Sequence, residues 1–133
     1  MELWQASRDW KDAVVKKDIW GIVNLAEEPS TKRALLESLS DPSDPLASYF
    51  FGDSDSVKSF FAQHNNLTQR FLRVGNSNTF YACYYDPERF NGNWSLDLMR
   101  KYSVDLDSVV CESFYERGGK WYLDFDMPIF DGD

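Results

Sequence analysis

One histidine, His64, and two cysteines, Cys83 and Cys111, stand among 133 residues, and that scarcity removes whole classes of chemistry. A second histidine to share a zinc ion with His64 does not exist, and the two cysteines lack metal-ligand spacing. The sequence carries no Gly-rich phosphate loop, no Gly-x-Ser-x-Gly elbow, no His-Glu-x-x-His and no Cys-x-x-Cys. The absence weakens every enzyme class that depends on those arrangements, and neither a cofactor nor a metal site is expected. Apolar runs reach only a few residues, far short of the roughly 20 that a membrane-spanning helix needs. No apolar segment resembles a signal peptide, so the expectation is a reducing cytoplasm with Cys83 and Cys111 as two buried thiols. On that expectation the glycosylation-type tripeptides Asn66-Leu67-Thr68 and Asn93-Trp94-Ser95 have no consequence.

Positive charge is also short. The formal net charge is -8, and residues 105–133 hold eight acids against Arg117 and Lys120 alone. Such a surface repels phosphate, so neither nucleic acid nor an anionic membrane is expected as a partner, whereas a basic protein is electrostatically allowed. Aromatic residues, by contrast, make up 17% of the chain, more than one small core needs. The surplus points to a pocket or an interface.

Leu3, Ala6, Trp10, Ala13 and Val14 recur at helical spacing and predict an amphipathic first helix. Asp18 suits the N-cap of a second helix through Ile19, Ile22, Val23 and Ala26, ended by Glu28-Pro29. Ser30 or Thr31 caps a helix over 31–39. The stretch from Ser40 to Asp55, with Pro42, Pro45 and Gly52, reads as a loop around the apolar cluster Leu46, Tyr49, Phe50 and Phe51. Ser54 or Asp55 starts a short helix with a stripe of Val57, Phe60 and Phe61, and His64 at its end. Strands come next at Leu67 to Val74 and Thr79 to Tyr85, joined by Gly75-Asn76-Ser77-Asn78. Ser95 caps a helix to Tyr102, with Trp94 packing on Met99.

The chain closes on a hairpin of Ser108 to Glu116 and Lys120 to Met127 around Gly118-Gly119. In its second strand Trp121, Leu123, Phe125 and Met127 alternate with Tyr122, Asp124 and Asp126. The whole reads as a single α+β domain over residues 1–133, helices first and at least four antiparallel strands last.

This order of elements, with Ala13-Val14-Val15-Lys16-Lys17-Asp18-Ile19 near the start and Glu116-Arg117-Gly118-Gly119-Lys120-Trp121-Tyr122-Leu123 near the end, resembles the NTF2-like superfamily. The resemblance implies N-terminal helices packed on a curved antiparallel sheet that forms a cystatin-like cone. It implies no single activity, since such cones include isomerases, dehydratases, transport factors and non-catalytic modules.

An acid or base beside a tyrosine in the cone mouth would mark an enzyme of the isomerase or dehydratase kind. His64, Glu112 and Asp124 are the candidates. His64 at a helix C-terminus reads more simply as a dipole partner, and Glu112 and Asp124 as a carboxylate pair on a solvated convex face. A ligand site would draw on Tyr81, Tyr85, Phe60 and Trp121. The leading expectation is therefore a non-catalytic NTF2-like module that binds a small apolar ligand or forms a homodimer through its sheet, because Tyr81, Cys83 and Tyr85 need cover. The alternative is a small acidic inhibitor or immunity-type protein bound to a basic protein partner.

Overall fold

The computed structural model describes residues 2–90 and 108–124, which form five helices and four strands. Helix α1 (Leu3–Lys16) buries Ala6, Trp10, Ala13 and Val14 of the predicted stripe together with Ser7, while Leu3 of that stripe is partly buried. Lys17 ends it in the left-handed conformation (φ 55°), and Asp18 caps α2 (Ile19–Val23) by accepting the Gly21 amide at 3.1 Å. The α2 helix stops earlier than expected. Glu28-Pro29 begins the next element instead of ending this one, because proline at the first helical turn costs no hydrogen bond. Helix α3 (Pro29–Ser40) therefore contains Ser30 and Thr31, the expected caps, within its first turn.

The stretch predicted as loop holds a helix, α4 (Pro45–Phe51). Asp44 accepts the Leu46 amide at 2.9 Å and Pro45 occupies the start, so residues that read as loop punctuation act as a cap. Helix α5 (Val57–Gln63) starts slightly later than predicted, with Ser56 and Ser59 exchanging side-chain-to-backbone hydrogen bonds at 3.0 and 3.2 Å.

Strands β1 (Thr68–Arg73), β2 (Thr79–Tyr85), β3 (Val109–Arg117) and β4 (Lys120–Leu123) form an open antiparallel meander in chain order. Gly118 and Gly119 both have positive φ (62° and 81°), the turn conformation that matches strand twist in a two-residue hairpin, and Arg117 pairs with Lys120 across it. The expected helix from Ser95 to Tyr102, the Trp94–Met99 contact and the continuation of the last strand to Met127 lie outside the described residues.

The β2–β3 register sets two faces: Phe80, Ala82 and Tyr84 oppose Phe114, Glu112 and Val110, while Tyr81, Cys83 and Tyr85 oppose Ser113, Cys111 and Val109. The first set joins α1, α4 and α5 in one buried cluster that includes Trp10, Phe50, Phe60, Phe61, Ala82, Tyr84, Val110, Phe114 and Leu123. Trp10 lies at its middle, its ring 5.7 Å from Phe61, 6.3 Å from Phe50 and 6.5 Å from Tyr84. The second face forms its own cluster with Phe90. Tyr81 and Cys83 are buried within one chain, so the expectation that a second copy must cover them loses its premise.

Cys83 and Cys111 are also not the two buried thiols expected of a reducing cytoplasm but a disulfide. Backbone bonds from Asp86 to Ser108 and from Glu116 to Asn78 make those positions hydrogen-bonded pairs, so the alternation leaves Cys83 and Cys111 in a non-hydrogen-bonded pair. Opposed Cα atoms come closest there, and these are 4.1 Å apart. No described helix is long and apolar enough to cross a membrane.

This packing sets two stability outcomes. Trp10→Ala should cost about 3–5 kcal/mol by urea titration, whereas Trp121→Ala, removing a half-exposed ring that touches Phe80 edge-on at 5.5 Å, should cost clearly less. Replacing both Cys83 and Cys111 with alanine frees a 28-residue loop in the unfolded chain and should lower stability by about 3–4 kcal/mol.

Candidate functional site at a buried carboxyl

Of the candidate acids, the β2–β3 register puts Glu112 where sequence reasoning did not. It stands on β3 opposite Ala82, between Val110 and Phe114 on the same strand face, and is 3% exposed. The expected convex, solvated position is therefore corrected: this carboxyl faces the core. Ala82 contributes only a methyl group opposite it. Tyr49, on α4, donates its hydroxyl to Glu112 Oε1 at 3.4 Å.

Burial dominates the electrostatics of the pair. It raises Glu112 to about 8, the Tyr49 hydrogen bond opposing that rise only in part. The Tyr49 hydroxyl is itself pushed well up, by burial first and then by the Glu112 charge. At neutral pH Glu112 is consequently a protonated acid, able to donate as well as accept a hydrogen bond. Trp10 in the same cluster has its Nε1 buried without a hydrogen-bond partner among the described residues. A carboxyl, a phenol and an indole N–H thus lie on the same apolar side of the sheet.

The other candidates do not converge on Glu112. Asp124 opposes Ser113, whose carbonyl accepts its amide at 2.8 Å, so it belongs to the other sheet face and forms no pair with Glu112. It lines a shallow cleft of about 650 Å³ with Glu27, Glu28, Tyr115, Glu116 and Arg117. There Tyr115 donates to Glu27 Oε1 at 2.7 Å, and Arg117 Nη1 lies 3.2 Å from the same oxygen.

His64 caps the end of α5 in extended conformation and finds a carboxylate instead of helix carbonyls. Its Nδ1 is 3.1 Å from Asp86 Oδ2, and its ring centroid lies 4.5 Å from that of Phe60. The Asp86 carboxyl is held below its ordinary value, chiefly by the Glu88 amide that it accepts at 2.9 Å.

Of the expected ligand residues, Phe60 and Trp121 belong with the Glu112 side of the sheet, and Tyr81 and Tyr85 with the opposite side. Among the described residues no group of three or more His, Cys, Asp or Glu is placed to hold a metal ion. Tyr49 was missed because its segment read as loop; the Asp44-Pro45 start with apolar residues at Leu46, Tyr49 and Phe50 was the signal that could have found it. Comparison of the chain with protein-family models, with curated proteins and with solved structures returned no match.

The raised Glu112 makes stability depend on pH. The folded chain keeps this proton up to about 8, whereas the unfolded chain releases it near 4.3, so between those values the folded state binds more protons. Stability contributed below that window is lost as pH rises through it. Urea unfolding from pH 5 to 9 should show the wild type losing a few kcal/mol relative to Glu112→Gln, whose curve lacks this component. Parallel curves for the two proteins would place a charged, solvated carboxylate at position 112.

Proposed function

We propose that the chain is a non-catalytic NTF2-like module that binds a small, mostly apolar ligand against the Glu112 face of its sheet. The observation that carries this reading is the protonated, buried Glu112 beside Tyr49. Burying a carboxyl among aromatic side chains costs stability that a leucine would not, and perturbed acids of this kind concentrate at sites that bind or react. The order of helices followed by a meander ending in Gly-Gly-Lys-Trp supports the NTF2-like assignment, and a curved sheet forming a cone would give the ligand its enclosure. Glu112 donates to a ligand carbonyl, and rings such as Phe60 and Trp121 contact its apolar body. A cone-pocket isomerase or dehydratase would use the same acid. The binding module is preferred because Glu112 has Tyr49 as its hydrogen-bond partner and Asp124 lies on the other sheet face, so no second carboxyl among the described residues joins it.

Homodimerisation through the sheet, the other form of this reading, rests on half-exposed Tyr85 and not on Tyr81 or Cys83. The acidic-partner reading keeps one supporting feature: Glu27, Glu28, Glu116 and Asp124 around one cleft, with Arg117 as the cation lining it. As to compartment, the Cys83–Cys111 disulfide favours a non-reducing one over the cytoplasm.

The test is a fluorescence titration with a naphthyl ketone as probe. Saturable binding should weaken as pH rises through about 8, persist without that pH dependence in Glu112→Gln, and fall at least tenfold in Glu112→Leu. Affinity that ignores all three changes would remove Glu112 from the site and end this reading.

A further inference from the structure

The tripeptide Asn66-Leu67-Thr68 joins α5 to β1, and its middle residue differs in burial from its neighbours. Leu67 is partly buried and packs against the main core cluster, while Asn66 and Thr68 are both exposed. Asn66 lies in the bend that leads into β1 and Thr68 is the first residue of that strand, so with Leu67 anchored inward both flanking residues remain open to solvent. Residues Ala62, Gln63 and Asn65 around them are exposed as well, leaving room for a bulky substituent. The residue between asparagine and threonine is not proline, as the acceptor pattern requires.

The motif alone carries little, but the disulfide is an independent observation. Cys83 and Cys111 are fully buried and bonded, which is the chemistry of an oxidising lumen, where oligosaccharide transfer to asparagine also takes place. We propose that Asn66 is an N-glycosylation site, an inference that rests on a non-reducing compartment and not on the ligand-binding reading. In the transfer, the Asn66 carboxamide nitrogen forms a bond to the anomeric carbon of a lipid-pyrophosphate-linked oligosaccharide. The bond from that carbon to the pyrophosphate oxygen breaks, the lipid pyrophosphate leaves with the electron pair, and the nitrogen gives up one proton. A glycan here stands at the entry to β1, an end strand of the described sheet, where bulk and hydration oppose pairing with a foreign strand.

The test expresses the full chain behind a cleavable secretory leader in a eukaryotic cell and scores both the medium and the lysate. Because transfer occurs on entry to the lumen, a retained chain is informative too. Peptide-N-glycosidase should collapse a slower-migrating band and leave aspartate at position 66 by mass spectrometry. Asn66→Gln and Thr68→Ala should lose that band completely, Thr68→Ser should keep it, and Asn93→Gln, altering the other matching tripeptide, should leave the Asn66 glycan in place. Unmodified Asn66 in the lumenal chain overturns the proposal. A non-reducing peptide map of the same sample then tells whether Cys83 and Cys111 are bonded, and so whether the compartment reading falls with it.

Discussion

The pairing of β2 with β3 is the constraint on which the other features depend. It places Ala82 opposite Glu112 and Cys83 opposite Cys111, so one register decides both the core carboxyl and the disulfide. A slip of one residue would send Glu112 to the Tyr81 face and Cys111 to the Trp10 side, since side chains alternate with period two. Several features oppose that slip. The disulfide ties the pair directly, the two positive-φ glycines set the adjoining hairpin, and Tyr84 is tied to α1 through the Ser7 hydroxyl at 3.2 Å and to β1 through Gln69 at 3.1 Å.

That register carries an energetic cost. A carboxyl at 3% exposure beside Val110 and Phe114 gives up its hydration, and one long hydrogen bond from Tyr49 offsets only part of the loss. The core tolerates it because the surrounding rings bury large apolar areas and meet edge-on, as in Trp10 with Phe61 and Phe61 with Tyr84. A protein free of any functional demand would gain by putting an apolar residue at this position. The acid at this position, with the Trp10 indole N–H lacking a hydrogen-bond partner among the described residues of the same cluster, is the physical basis of the ligand-binding proposal.

Elsewhere the charges do structural work at junctions. Asp18, Asp44 and Asp86 each accept a backbone amide where the chain changes direction, and Asp86 also holds His64 at the end of α5. Glu27 gathers Tyr115 and Arg117, linking the segment after α2 to the closing hairpin. The same connection is reinforced by the Leu123 amide, which donates to the Leu25 carbonyl at 2.7 Å and so occupies part of the β4 edge. Acids outside the strongly negative segment 105–133 are thus partly engaged in local architecture.

Local patterns were sufficient for the elements whose causes are local. The helical stripe of α1, the Asp18 cap, the limits of β2 and the Gly118-Gly119 turn were all legible, because spacing, side-chain capping and positive φ act within a few residues. The α4 helix was obscured by proline and aspartate, which break a helix or cap one according to the residues on their C-terminal side. What only the tertiary structure decided is which side chains meet. Glu112 finds Tyr49 across 63 positions, His64 finds Asp86 across 22, and Cys83 finds Cys111 across 28. On β3 both faces carry apolar residues, so the sequence alone could not say whether Glu112 pointed to core or solvent. Register is settled by contacts between strands distant in the chain, and a single sequence contains no local trace of them.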